Sequence, residues 1–161
     1  MSKVVLIGSS SAIAKSLQNQ SNREFVCFTR SNGFDISGDL SELDDLEDIN
    51  GLVYFPGTIN LKPFTMLKEQ DYQNDLDINF LGAVKVVKKL IGKLKEADGA
   101  SVVFISTVAA SIGLPFHASI SPSKAALEAY ARSMAAEYAG AKVSFNAVSY
   151  THLTLPTRRG V

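Results

Sequence analysis

One run near the start of the chain indicates the architecture: Lys3-Val4-Val5-Leu6-Ile7-Gly8-Ser9-Ser10-Ser11-Ala12-Ile13-Ala14. An apolar segment of strand length runs directly into Gly8, and apolar residues then return at helical spacing. A strand, a tight turn and a helix in this order form the setting that a dinucleotide-binding site requires. We therefore expect this turn to face a pyrophosphate. The alternative is a serine-rich turn that caps an ordinary helix.

Each part of the turn has a chemical reason. Gly8 permits the sharp bend because it has no side chain. Backbone N–H groups as far as Ile13 lie at the start of a helix, where they and the helix dipole attract an anion. Three successive hydroxyls add further donors, those of Ser9, Ser10 and Ser11. Ala12 and Ala14 stand where a dinucleotide fingerprint prefers glycine, so a tighter approach of cofactor to backbone is predicted.

Apolar runs of strand length recur along the chain, separated by segments with helical periodicity. The predicted strands cover 3–7, 24–29, 51–55, 101–106 and 142–148. Two long helices are predicted at 65–97 and 121–140. Because each crossover helix returns the chain across the sheet, this alternation predicts the α/β class, with a doubly wound parallel sheet in a three-layer α/β/α arrangement.

Composition limits the possible partners. The 161 residues are 46% hydrophobic and 20% charged, which fits one compact domain. Sixteen Lys plus Arg balance sixteen Asp plus Glu, so the chain has no field that would gather nucleic acid or anionic lipid. We therefore predict no nucleic-acid partner and no membrane association.

The cysteine and histidine content argues against an internal disulfide and against a metal site. The single cysteine, Cys27, forms no internal disulfide and suits a reducing compartment. The histidines, His117 and His152, have no cysteine or carboxylate partners at ligand spacing, so no metal site is predicted. The apolar run at 4–7 is too short for an export signal or a membrane span. The predicted location is the cytoplasm.

Short motifs follow the Gly8 turn in a fixed order. They are Tyr54-Phe55-Pro56-Gly57, Asn79 within Asp77-Ile78-Asn79-Phe80-Leu81-Gly82, Ser106-Thr107 at a strand end, Ser123-Lys124-Ala125-Ala126 and Asn146-Ala147-Val148. With the turn, this set resembles the short-chain dehydrogenase/reductase family over residues 1 to about 149, as a divergent member. The resemblance implies a Rossmann-like NAD(P)-binding domain. It also implies hydride transfer between NADP(H) and a small-molecule carbonyl or alcohol substrate, by a homodimer or homotetramer when full-length.

The resemblance implies roles for individual residues. Pro56 and Gly57 would contact the cofactor, and Lys124 would bind its nicotinamide ribose. Thr107, with Ser106 directly before it, would orient the substrate carbonyl. Asn79 would hold a water in a proton relay. The outward faces of the two long helices would supply the dimer contact.

One position departs from the family pattern. Four residues before Lys124, where the family has a proton-donating tyrosine, this chain has Ile120. An aliphatic side chain neither donates nor accepts a proton. His117 is the best alternative donor in this stretch, because an imidazole titrates close to neutrality. Two hypotheses stay open, an oxidoreductase that uses His117 and an NADP-binding pseudoenzyme without turnover.

Cofactor choice is predicted from the end of the second strand. Thr29-Arg30-Ser31 places a guanidinium there and no carboxylate. A guanidinium suits a 2′-phosphate, whereas an acidic residue would bind the ribose hydroxyls of NAD, so NADP is predicted over NAD. The adenine contact that the family makes with an aspartate–aliphatic pair is assigned to Asp39 and Leu40. Asp35-Ile36 is the rival placement.

The final stretch, 150–161, matches nothing in the family pattern and looks like translated adapter sequence. We expect residues 1–149 to form a dinucleotide-binding domain that is incomplete at its C-terminus. Residues 150–161 are expected to be a non-native tail, in which His152 carries no function.

Overall fold

The computed structural model describes residues 2–150, so the predicted non-native tail 150–161, apart from Tyr150 and including His152, lies outside the described residues. The strands are β1 (Lys3–Ile7), β2 (Phe25–Phe28), β3 (Ile49–Tyr54), β4 (Ala100–Thr107) and β5 (Val143–Tyr150). The helices are α1 (Ala12–Gln20), α2 (Glu69–Leu76), α3 (Gly82–Glu96), the single turn α4 (Ala109–Ile112) and α5 (Ile120–Tyr138). The predicted strands coincide with these strands to within two residues.

The strands form one parallel sheet in the order β2-β1-β3-β4-β5. In the central strand, Leu6 pairs with Cys27 on one side and Val53 on the other. The chain moves from β1 to β2 in one direction and from β3 to β5 in the other. Right-handed crossovers therefore put α1 on one face of the sheet and α3 and α5 on the opposite face. This confirms the predicted doubly wound, Rossmann-like α/β fold.

The core lies between the sheet and the long helices. Val86, Leu90 and Leu94 recur every four residues along α3 and are fully buried. Across the sheet surface, Phe104 of β4 packs its ring 5.9 Å from that of Tyr130 on α5. Burying side chains of this size stabilises a fold by roughly 1.5–3 kcal/mol each. These contacts hold the carboxyl ends of the strands together at one edge of the sheet.

The prediction of one helix over 65–97 is wrong at its start. Residues Phe64–Met66 form a separate 3₁₀ turn, and α2 begins only at Glu69. Lys68 has an extended backbone, and its N–H donates to the Asp71 carboxylate at 2.9 Å. That bond caps the helix at this point and stops it from extending backwards.

The same prediction missed a π turn, Asp77–Leu81, which separates α2 from α3. Buried Tyr54 accounts for it. Its hydroxyl donates to the carbonyl of Ile78 at 2.6 Å and gives that carbonyl a partner outside the helical ladder. Gly82 makes room, because a Cβ there would overlap the Tyr54 hydroxyl. Such turns are frequent at functional sites, and this one carries Asn79.

No helix within residues 2–150 is long and apolar enough to cross a membrane. The same stretch holds no group of three or more His, Cys, Asp or Glu side chains arranged to bind a metal ion. Cys27 is half-buried, and its thiol donates to Oε1 of Gln18 at 3.4 Å.

Candidate functional site

A cleft of about 350 Å³ opens at the carboxyl ends of β1, β2 and β3. The loops after these strands line it, and they bring together six residues predicted to bind the cofactor: Gly8, Ser10, Ser11, Arg30, Pro56 and Gly57. The order β2-β1-β3 means that the chain leaves β1 toward one side and later returns on the other. A crevice at such a switch point is where open α/β sheets bind ligands.

Six other predicted cofactor residues lie outside the cleft lining, and Ser9, Ile13 and Ser31 are three of them. Ser9 is buried beneath the loop, and its N–H donates to the carbonyl of Phe28 at 3.3 Å. Ile13 is half-buried in the first turn of α1, and Ser31 is exposed in the turn after β2. Near Ile13, the start of α1 leaves backbone N–H groups without a partner in the helix, as the first turn of any helix does.

Gly8 is required by both conformation and space. Its φ of +79° lies in the left-handed region, and a Cβ there would sit 3.1 Å from Cδ and 3.2 Å from the backbone N of Pro56. The Gly8 N–H donates to the carbonyl of Phe28 at 2.8 Å. Ser11 then begins α1 by accepting the Ala14 N–H on its hydroxyl at 3.2 Å. The loop is therefore held against the ends of β2 and β3. At Gly8 no side chain covers its backbone.

Replacing Gly8 by Ala should destabilise the chain more than replacing Gly33 by Ala. Both glycines have a positive φ, but a Cβ at Gly33 would meet nothing within 4 Å. We expect Gly33→Ala to cost about 1 kcal/mol from strain alone and Gly8→Ala about 2–3 kcal/mol from strain plus the contact with Pro56. Urea unfolding measures both. Equal losses would show that the Pro56 loop yields without cost.

The turn after β2 is anchored without help from the Arg30 side chain. Asn32 accepts the Thr29 N–H on Oδ1 and donates from Nδ2 to the carbonyl of Cys27, both at 3.0 Å. The Thr29 hydroxyl donates to that of Ser10 at 3.1 Å and ties this turn to the Gly8 loop. The exposed guanidinium of Arg30 is thus presented at the cleft from a fixed backbone.

Of the two pairs considered for the adenine contact, Asp39-Leu40 and Asp35-Ile36, only Ile36 lies in the cleft lining. Phe34 and Ile36 line the cleft beside Arg30. Leu40 and Asp39 instead line a separate depression with lysines of α3, and Leu40 belongs to the hydrophobic core, as do Phe34 and Ile36. The Asp39 carboxylate accepts a hydrogen bond from the Ser41 hydroxyl, and this bond lowers the pKa of Asp39. Ile36 lies at the cleft on the segment 29–48 between β2 and β3, a placement that residue order alone left open.

At the cleft, the side chains of Lys124 and Asn79 both approach the backbone of Gly57. A Cβ built on Gly57 would lie 3.3 Å from Nζ of Lys124 and 3.2 Å from Oδ1 of Asn79. Asn79 is completely buried, and Lys124 is 6% exposed. The Lys124 ammonium donates to the carbonyl of Ile105 at 2.8 Å. Burial lowers the pKa of Lys124 to about 8, because the charged form is desolvated.

The buried ammonium should make stability depend on pH. The folded pKa of Lys124, about 8, lies below the 10.5 of an unburied lysine, so between these pH values the unfolded chain binds more protons. Stability therefore rises with pH across that window, by about 3 kcal/mol. In Lys124→Met this rise should disappear, whereas exposed Lys85→Met should keep it. Urea unfolding from pH 7.5 to 10.5 checks this, and a rise retained in Lys124→Met would contradict it.

The hydroxyls of Ser106 and Thr107 differ in availability. Ser106 donates to Oε1 of Glu128 on α5 at 2.6 Å, and Ser149 donates to the same oxygen at 3.0 Å. The hydroxyl proton of Ser106 is therefore engaged by Glu128 and is not available to another acceptor. Thr107 instead accepts the Ala109 N–H at 3.3 Å, which leaves its own proton free to donate. Of the two predicted hydroxyls, only that of Thr107 is available to a carbonyl.

Ile120 begins α5 and is 8% exposed, so an apolar side chain fills this position. His117 lies on the preceding loop, outside the cleft lining. Its ring Nδ1 donates to the carbonyl of Pro115 at 2.7 Å, and its own carbonyl accepts the Ser121 N–H at 2.9 Å. The structure thus directs Nδ1 onto its own loop and gives His117 a capping role at the start of α5.

A buried polar cluster that no sequence motif predicted lies behind Gly57. Thr58 donates its hydroxyl to Oδ1 of Asp75, and Asn79 donates from Nδ2 to Oγ1 of Thr58 at 2.8 Å. Asp75 is 1% exposed. Its place four residues before Asn79, one turn of a helix, is the signal that would have found it.

Apolar side chains surround the strand ends beyond the cleft. The loop after β3 exposes Ile59, Leu61, Phe64 and Met66, and the loop after β4 exposes Ile112, Leu114 and Phe116. The Lys62 N–H donates to the carbonyl of Phe116 at 3.3 Å and joins the two loops. We call these seven side chains the apolar rim. They belong to two loops that are far apart in the sequence, so no local sequence pattern predicts that they lie together.

Comparisons with known proteins agree with this geometry. The family model for short chain dehydrogenases matches residues 3–157. A hydroxynaphthalene reductase-like protein of Metarhizium brunneum is 33% identical over 94 residues, which are 58% of this chain and 34% of that protein. A D-threitol dehydrogenase of Mycolicibacterium smegmatis is 30% identical over 103 residues, 64% of this chain and 40% of that protein. The chain thus spans well under half the length of these curated relatives.

A solved structure shows the same fold. It is a short chain dehydrogenase from Burkholderia cenocepacia in complex with NADP, with a TM-score of 0.80 and 20% sequence identity. The match covers 92% of this chain and 70% of that one. At this identity the likeness concerns the arrangement of strands and helices.

Proposed function

The chain belongs to the short chain dehydrogenase family, and from this we propose that it is an NADP-dependent oxidoreductase acting on a carbonyl or alcohol. One observation carries the proposal. The Lys124 ammonium and the Asn79 amide oxygen meet at bare Gly57, at the cleft that Gly8 and Arg30 also line. A cation, an amide and two exposed stretches of backbone at a switch point suit a phosphorylated dinucleotide.

The residues fit such a cofactor. Gly8 and Gly57 leave backbone bare where a side chain would intrude on Pro56, or on Asn79 and Lys124. The start of α1 offers N–H groups to a pyrophosphate. Phe34 and Ile36 provide apolar surface for an adenine ring. When bound, the nicotinamide would supply or accept the hydride.

Each polar residue then has a defined task. The Arg30 guanidinium binds a 2′-phosphate, which supports NADP as the cofactor. The Lys124 ammonium binds ribose hydroxyls, and with a pKa of about 8 it carries a proton at neutral pH. The Thr107 hydroxyl donates to the substrate carbonyl. In reduction, hydride reaches the carbonyl carbon, and a proton from His117 or the Lys124 ammonium reaches its oxygen.

The apolar rim supports an aromatic or otherwise apolar carbonyl substrate over a polyol. Seven large apolar side chains exposed around the strand ends would contact such a molecule and lose their own exposure to water. A second candidate function rests on Ile120. Without a hydroxyl at this position, the same cleft would bind NADP in a pseudoenzyme that does not turn over.

Two further properties belong to the same proposal. The exposed sides of α3 and α5 would pair two chains, supported on α5 by small residues such as Ala129, Ser133 and Ala136, which permit close approach of helices. The single cysteine supports a reducing, cytoplasmic location. Light scattering tests the first property.

A thermal-shift titration tests the function. NADPH, present at a hundred times its Kd, should stabilise the folded chain by about 2.7 kcal/mol, with a smaller effect of NADH at the same concentration. NADPH oxidation is then followed with aromatic ketones and with aldoses. Turnover of the aromatic ketones supports the oxidoreductase, and a shift without turnover supports the pseudoenzyme. No shift with either nucleotide would contradict both.

A further inference from the structure

We propose that Asp75 is a positioning residue. Through the Thr58 hydroxyl, it fixes the side-chain amide of Asn79 with its oxygen toward Gly57 and Lys124. Asp75 itself lies behind this group and touches the cleft only through its neighbours.

The contacts form a closed set around the Asn79 amide. Asn79 Nδ2 donates to Oγ1 of Thr58 and to the backbone carbonyl of Asp75, both at 2.8 Å. Asn79 Oδ1 accepts the Thr58 N–H at 3.2 Å. The Thr58 hydroxyl donates to Oδ1 of Asp75. These bonds join the loop that carries Gly57 to the helix that carries Asn79.

Hydrogen-bond polarity assigns the role of the carboxylate. The backbone N–H of Thr58 and the backbone carbonyl of Asp75 can each act in one way only. The Thr58 hydroxyl is the one neighbour of the amide that can either donate or accept. Because an ionised carboxylate only accepts, Asp75 takes the single hydroxyl proton and makes Thr58 an acceptor. All three neighbours then specify the same orientation of the Asn79 amide.

The placement of Asp75 is costly for the fold. Its Oδ2 is buried and makes no hydrogen bond within the described residues. Burying a carboxylate oxygen without a partner destabilises a protein, and a leucine here would avoid that cost. The carboxylate therefore contributes orientation at the site, where the fold alone would be served by an apolar side chain.

Two pairs of variants separate orientation from charge and packing. Asp75→Leu and Thr58→Val remove the oriented hydroxyl bond, and only the first removes charge. Asp75→Asn removes the charge but keeps an oxygen that accepts from Thr58, and Thr58→Ser keeps the hydroxyl. The readout is the hydrogen-exchange rate of the Asn79 side-chain NH2 group, measured by NMR on the ¹⁵N-labelled chain without cofactor.

We expect the exchange to become about tenfold faster in Asp75→Leu and in Thr58→Val, and to change less than twofold in Asp75→Asn and Thr58→Ser. The double variant Asp75→Leu/Thr58→Val should be no faster than Thr58→Val alone, because Thr58→Val already removes the bond to Asp75 together with the bond from the Asn79 amide. Unchanged exchange in Asp75→Leu and Thr58→Val would overturn the proposal. So would equal acceleration in all four variants, or acceleration in the two Asp75 variants alone.

The consequence for turnover rests on the proposed function. In a chain that reduces a carbonyl, Asp75→Leu should lower kcat about tenfold and leave the KM for NADPH unchanged, with Asp75→Asn restoring the rate. Because the exchange measurement needs neither cofactor nor substrate, failure of the orientation and failure of the oxidoreductase activity are distinguishable.

Discussion

Replacing Arg30 by Asp should weaken NADPH binding about a hundredfold and leave NADH binding equal or stronger. The guanidinium is expected to make charge-assisted hydrogen bonds to the 2′-phosphate, each worth about 1.5–3 kcal/mol. A carboxylate in its place would repel that phosphate and accept from ribose hydroxyls instead. Asn32 anchors the turn through backbone groups, so the substitution should leave the local backbone in place.

Isothermal titration with each nucleotide measures this change of preference. Arg23→Asp is the matched control, because it makes the same change of charge at the other end of β2, where Arg23 donates to Oδ1 of Asn50 at 2.6 Å. The control should retain the preference of the unchanged chain. If Arg30→Asp and Arg23→Asp bind NADPH equally well, Arg30 has no part in the site.

The sheet could be predicted from sequence because its rules are local and repetitive. Apolar runs such as 3–7 gave strand positions, and right-handed crossovers then allowed few topologies. The interruption of the helix at Asp77–Leu81 could not be predicted this way. It depends on a tyrosine of β3 reaching a carbonyl 24 residues later in the chain.

The site was predictable where a residue is tied to a turn or a motif. Gly8 and Lys124 are examples, since one follows a strand and the other begins a helical run. Choices between neighbours were not predictable. Thr107 and Ser106 point to opposite sides of β4, and of the two core residues Ile36 and Leu40 only Ile36 also lines the cleft. Asp75 was missed because its role depends on a hydrogen bond to a distant loop.

The largest gain should come from replacing Ile120 by Tyr. This side chain stands four residues before Lys124, at the first position of α5, and a phenol there would give the site a general acid beside an ammonium. General acid catalysis is typically worth about a hundred- to ten-thousandfold, so NADPH oxidation should rise by that factor. Ile120→Phe is the control, because it adds the ring to this buried place without the hydroxyl.

The unchanged chain then reveals which group moves the proton when no phenol is present. If His117 serves, its change to Ala should lower the basal rate about a hundredfold, yet have little effect in the Ile120→Tyr background, where the phenol replaces it. NADPH binding should be normal in every variant, since neither His117 nor Ile120 is among the residues proposed to bind the cofactor. If His117→Ala leaves the basal rate unchanged, His117 has only a structural role in its loop, where Nδ1 donates to the carbonyl of Pro115. An Ile120→Tyr variant that binds NADPH and is no faster than Ile120→Phe would contradict the oxidoreductase and support binding without turnover.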